Sequence, residues 1–175
     1  GRAGKRVRDE EDEIVKKLDK LIEKIENQMQ QSQQQQQQSS KQATTKIDVA
    51  PLPKTLVDAL LTQKSRAIVI TEAKKPFRIV SVNQCWEKLC GYSFVESQGA
   101  TLGSLLQGPD TDTTAATNLI VKLLQGEAEA GVTLTNYTKS GRRFRNRVRV
   151  GPLHDDYNNT VPYFVGVLQE VRDGM

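Results

Sequence analysis

The sequence predicts an α+β fold: a five-stranded antiparallel sheet with short helices on one face, preceded by a short coiled-coil helix. Three observations lead there. From residue 51 the segments run entry helix, strand, strand, small helices and three strands, an order that closes into one sheet with its helices segregated to one side. Ahead of them, Val15, Leu18, Ile22, Ile25 and Met29 recur at spacings of 3, 4, 3 and 4, the repeat of a coiled coil. Between the two, residues 28–42 are dominated by glutamine and serine and offer nothing apolar to bury after Met29.

The chain therefore divides into a charged helix over residues 1–30, a Gln/Ser-rich linker over 31–50, an entry helix over 51–63 and the sheet domain over 64–175. In the first helix, Asp9 to Glu13 put negative charge on the opening turns, where the helix dipole favours it. Ile14 and Leu21 widen its apolar stripe. Little more than two heptads makes a marginal pair in water, so a surface helix folded onto the main domain is the alternative. Leu52, Leu56, Leu60 and Leu61 give the entry helix its apolar face.

Ala67 to Thr71 reads as a buried strand and Arg78 to Val82 as a second, joined by the Lys74-Lys75-Pro76 turn. Asn83 to Cys90 predicts a short helix ended at Gly91, and Thr113 to Leu124 a longer one ended at Gly126. Three strands follow: Val132 to Thr138, Arg143 to Val150 after a turn at Lys139-Ser140-Gly141, and Tyr163 to Val171.

Composition excludes several functions. Hydrophobic residues make up 37% and aromatics 5%, lean for a fully packed chain, and the glutamine tract supplies the reason. The net charge of +4 is spread evenly, with 10 basic and 8 acidic side chains in residues 1–46 and 15 and 13 in the rest, which is no polyanion-binding balance. Lys5-Arg6-Val7-Arg8 is too short to fill a major groove, so no specific nucleic-acid binding is expected. Cys85 and Cys90, beside Trp86 and Leu89, read as reduced thiols near a core helix, which fits a cytoplasmic or nuclear protein. No apolar run approaches the ~20 residues of a membrane span, so no membrane contact is expected. His154 with Asp155 and Asp156 is too little for a metal site. No nucleophile, base and orienting group converge, so no enzyme activity is expected.

Four runs occur in order: Gly91-Tyr92-Ser93, Leu106-Gln107-Gly108-Pro109-Asp110-Thr111-Asp112, Asn136-Tyr137-Thr138-Lys139-Ser140-Gly141 and Phe164-Val165-Gly166-Val167. Together they resemble the flavin-binding light sensors called LOV domains, a branch of the PAS fold, over roughly residues 66–173. With its N-terminal helix, the chain resembles in arrangement the aureochrome-like and related basic-zipper or helix-loop-helix PAS transcription factors of stramenopile algae. In that family an asparagine-cysteine-arginine run before Leu-Gln-Gly contacts the flavin, supplies the thiol of the light-driven adduct and binds the flavin phosphate. Aligned through Gln107-Gly108, this sequence has Leu102, Gly103 and Ser104 there. The family's second phosphate-binding arginine falls on Ile120, and the glutamine that reads the flavin ring falls on Leu168. Gln107, Asn136 and Asn146 persist. The resemblance therefore implies a vestigial pocket filled by its own side chains, with no cofactor and no cysteine-adduct photochemistry.

The function expected is a flavin-free dimerisation or protein-interaction module in a transcription regulator, paired with itself or with a related PAS protein. The alternative is a small-molecule or flavin-binding sensor. Two surfaces carry the interaction reading. Val15 and Ile22 at a positions with Leu18 and Ile25 at d positions would form the coiled-coil seam. In Arg143 to Val150, a period of two sends Phe144, Asn146, Val148 and Val150 inward and Arg143, Arg145, Arg147 and Arg149 outward, as a docking stripe for an acidic segment such as Asp9 to Glu13 of a second chain, or else as a solvated face.

Overall fold

The structure, a computed structural model, describes residues 14–28, 46–61, 64–155 and 157–172. A helix α1 runs over residues 14–28. Then come α2 (Leu56–Leu61), β1 (Ala67–Glu72), β2 (Ile79–Val82), α3 (Gln84–Cys90), α4 (Phe94–Ser97), α5 (Leu102–Leu106), α6 (Thr113–Leu124), β3 (Ala130–Tyr137), β4 (Arg143–Leu153) and β5 (Tyr163–Val171). The strands form one sheet in the order β2-β1-β5-β4-β3, every neighbouring pair antiparallel. This is the α+β architecture that the sequence predicts.

Local chemistry sets the helix limits. Asn83 caps α3: its side-chain oxygen accepts from the Trp86 amide at 3.0 Å and also from Ile68 of β1 at 3.0 Å, tying helix to sheet. Gly91 ends α3 with φ of 85°, a left-handed conformation that a side chain would strain. The helices α4 and α5, absent from the sequence expectation, each begin with a capping box, Ser93 with Glu96 and Thr101 with Ser104. Asp112 caps α6 by accepting from Ala115 at 3.0 Å.

The entry helix is shorter than expected. Proline lacks an amide donor and biases the preceding residue to extended backbone. Residues 51–55, with Pro51 and Pro53, accordingly run extended to a bridge between Thr55 and His154, and among the described residues of this stretch the helix is Leu56–Leu61. Strand β4 continues past the expected Val150 to Leu153, where Pro152 pairs with Phe164 of β5 in a stretch that β3 no longer flanks.

Alternation along the strands gives the sheet two buried faces. Trp86, Leu106, Leu119, Leu123, Leu134, Val148 and Leu168 gather on the side of α3, α5 and α6. Ile68, Ile70, Val165, Val167 and Leu153 gather on the other, under Leu52 and Ala59 of the α2 segment. Along α1 the apolar stripe stays open to solvent, with Val15, Leu18 and Ile22 about half exposed at 52%, 51% and 50%. Ile25 is half-buried. Met29, Asp9 to Glu13, Lys5 to Arg8 and the glutamine tract lie outside the described residues. Among the described residues no helix is long and apolar enough to cross a membrane.

Candidate functional site

Between the inner face of the sheet and helices α5 and α6 lies a cavity of about 440 Å³. The expectation of a pocket filled by its own side chains is thereby corrected. Small residues line it on both sides, Gly103 and Ala116 on the helices and Val69, Val148, Val150 and Gly166 on the sheet, which leaves space that larger side chains would fill. Space of this order is ordinary for a small-molecule site.

Seven of the eight residues expected at this pocket line it: Leu102, Gly103, Gln107, Ile120, Asn136, Asn146 and Leu168. Ser104 does not. It is exposed, and its hydroxyl closes the α5 capping box by accepting from the Thr101 amide at 3.3 Å while donating to the Thr101 carbonyl at 2.9 Å. The residues missed by sequence reasoning include Val69 and Thr71 of β1, Lys75, Pro76 and Phe77 of the following turn, and Phe164. Only the continuous apolar run of β1, read as a buried strand, hinted at its part; the turn residues carried no signal beyond the turn itself.

Polar groups in the cavity converge on two asparagines. Asn136 is 3% exposed and donates through Nδ2 to the Leu106 carbonyl at 3.1 Å. Asn146, fully buried, donates through Nδ2 to Asn136 Oδ1 at 2.9 Å. Its own Oδ1 is buried without a donor. A buried acceptor left unpaired is costly, and native structures hold few of them.

The Gly108-to-Asp112 loop sets the spacing of α5 and α6. A Cβ on Gly108 would stand 2.3 Å from the Tyr137 ring. The Gly108 amide donates to Thr111 Oγ1 at 2.9 Å, and that hydroxyl donates to the Thr135 carbonyl at 2.6 Å. The Asp110 amide reaches Tyr137 Oη at 3.1 Å. This motif therefore docks the helices to β3 rather than supplying a reactive group.

Neither cysteine lines the cavity. Cys90 is buried in the core, where desolvation pushes its thiol up to about 12. Burial also raises Cys85, with Lys88 opposing it in part. Both favour the unreactive thiol over the thiolate.

The arginines of β4 correct a second expectation. Phe144, Asn146, Val148 and Val150 do face inward, but the opposite row is not an open docking stripe. Arg149 is only 7% exposed; its Nε donates to Glu129 at 2.7 Å and its NH1 to the Ala50 carbonyl at 2.8 Å. Arg147 donates to the Asp48 carbonyl. Arg66 pairs with the Asp48 carboxylate and donates to the Ala50 and Pro51 carbonyls. Gln169 accepts from the Asp48 amide at 2.9 Å and donates to the Lys46 carbonyl at 2.8 Å. Residues 46–51 thus form a strap across the outer face of β4 and β5. Arg145 donates to Thr135 Oγ1, and exposed Arg143 lies 3.3 Å from Asp110. The partners of this row come from within the chain: the Glu129, Asp110 and Asp48 carboxylates, the Asp48 and Ala50 carbonyls and the Thr135 hydroxyl.

Residues 65–173 match the PAS domain family model. The chain is 37% identical over 100 residues to a blue-light-activated histidine kinase of Rhizobium johnstonii, covering 57% of this chain and 28% of that one. It is 30% identical over 129 residues to the bacterioopsin transcriptional activator of Halobacterium salinarum, covering 74% and 17%. The chain thus spans less than a third of the length of these curated relatives. Among solved structures, the dark structure of the blue-light photoreceptor Aureochrome1 LOV superposes with a TM-score of 0.58 at 30% identity, covering 73% of this chain and 90% of that one.

Proposed function

Because the chain belongs to the PAS domain family, we propose that residues 65–173 act as a flavin-free signalling module in a transcription regulator of the nucleus or cytoplasm, joining two copies of the chain or joining it to a related PAS protein. One observation carries this reading: at the wall where light-sensing relatives would need a thiol, a guanidinium and an amide, the cavity presents Gly103, Ile120 and Leu168. A flavin nucleotide does not fit these residues. Its phosphate would need several cationic or guanidinium donors, and among the described residues that line the cavity the only charged one is Lys75. Cysteinyl adduct formation has no nucleophile within reach. Similarity to a transcriptional activator supports the regulatory context, and the exposed stripe of Val15, Leu18 and Ile22 supports self-association. The module is not catalytic.

Denaturing extraction of the purified chain, followed by chromatography for flavins, tests the first half; less than one flavin per ten chains is the expected result, and stoichiometric release defeats the reading. Sedimentation equilibrium tests the second, with a concentration-dependent dimer expected and a monomer at all concentrations ruling it out.

A second reading, a sensor of a small molecule other than a flavin nucleotide, is favoured by the open cavity and by the donor-less Asn146 Oδ1 within it. Dimerisation and ligand sensing are compatible in one module.

A further inference from the structure

The cavity has two polar ends. At one, Asn146 Oδ1 is buried with no donor, while the Nδ2 of the same amide is spent on Asn136. At the other, exposed Lys75 lies on the rim with Pro76 and Phe77, and it makes no ion pair among the described residues. The register of the sheet gives their separation. Asn146 pairs with Glu170, and six positions along β4 Pro152 pairs with Phe164, whose ring stacks on Phe77 at 6.0 Å. At about 3.3 Å per residue the Asn146 level and the Phe164–Phe77 level, beside which Lys75 lines the rim, stand roughly 20 Å apart along the sheet. Between these levels the sheet wall is apolar, formed by Val148, Val150 and Leu168, while Thr71, Thr101, Gln107 and Thr117 add neutral polar groups elsewhere on the lining.

We propose that this cavity binds an elongated apolar monocarboxylate bearing a hydroxyl at its far end. This deepens the small-molecule reading above and rests on it. The carboxylate sits at Lys75, where one ammonium at the solvent edge matches one negative charge and leaves a phosphate dianion under-compensated. The hydroxyl donates to Asn146 Oδ1 and removes the unpaired acceptor; an ammonium there would be desolvated without a counter-charge. The chain between them covers the apolar wall, and its length follows from the distance between the two polar ends.

Isothermal titration of the intact chain with ω-hydroxydodecanoate, dodecanoate and the α,ω-diol of equal length, all below micelle-forming concentrations, removes one recognition element at a time. The hydroxy acid is expected to bind most tightly, and each of the others about fivefold to tenfold more weakly, the worth of one hydrogen bond or one exposed charge contact. Lys75→Gln should erase the advantage over the diol, and Asn146→Leu the advantage over dodecanoate. Lys75 is exposed in a turn, so its variant reads recognition even if Asn146→Leu fails to fold. Equal affinity for the three probes, or an unchanged preference in Lys75→Gln, overturns the proposal. If all three fail while anilinonaphthalene sulfonate binds saturably and is expelled by the cavity-filling Leu134→Trp, this ligand class falls and the sensor reading stands. If the dye does not bind either, both fall.

Discussion

Gly108 is the residue on which the motif run Leu106 to Asp112 turns, because the Tyr137 ring occupies the space a Cβ would need. Gly108→Ala forces either the ring or the loop to move, and overpacking of this kind costs about 1–3 kcal/mol. Urea unfolding should show a lowered midpoint, the shift multiplied by an unchanged slope giving that free energy; an unaltered midpoint would mean that the loop adapts freely. Cys90 offers a pH test. Its thiol ordinarily ionises near 9.0 and in the fold only at about 12, so above pH 9 the unfolded chain loses a proton that the folded chain keeps. The contribution is complete below pH 9 and declines as pH rises towards 12. Cys90→Ala removes the titration, so the stability difference between native chain and variant should shrink as pH rises through that window. A difference constant with pH would show that Cys90 is not held neutral by burial.

At the scale of elements, the strap and β4 show what sequence could and could not convey. The alternation in Arg143 to Val150 was legible, because one buried face imposes a period of two on its strand. The partners of the outward row were not. Arg147 meets the Asp48 carbonyl across 99 residues of sequence, and nothing local to β4 announces a backbone acceptor so far away. The end of α3 was legible in the same local way at Gly91, while Asn83, expected as its first residue, is its cap; the one-turn helices α4 and α5 were too short for any apolar period to reveal. The pocket was legible through its asparagines and substituted positions, but its openness was not, since that depends on how small side chains from five elements oppose one another. The strap is held by guanidinium and amide bonds while Ile47 and Val49 remain exposed, at 52% and 78%. Gln169→Leu should therefore release it locally. Hydrogen exchange is expected to quicken at the Asp48 amide, with α2 and β5 unchanged, and faster exchange is also expected in the native chain at high salt. Protection of Asp48 that survives both changes would show that packing, not these polar bonds, holds the strap.

For the whole molecule, the proposed self-association would draw on α1 and the PAS domain separately. Each apolar side chain of the α1 stripe offers roughly 1.5–3 kcal/mol on full burial before entropic costs, so two heptads give a weak pair and the domain surface must add to it. Replacing Val15 and Ile22 together by Glu should weaken the dimer by at least tenfold in sedimentation equilibrium; an unchanged dimer would assign assembly to the domain alone.

The central claim is that a light-sensor architecture here encloses a cavity built for something other than a flavin nucleotide. Titration of the intact chain with flavin mononucleotide, followed by visible absorption and fluorescence after removal of free ligand, tests it most directly. No retained flavin and no light-induced bleaching are expected, because among the described residues lining the cavity Lys75 is the only charged one and neither cysteine is among them. Saturable one-to-one retention of the nucleotide would contradict the account.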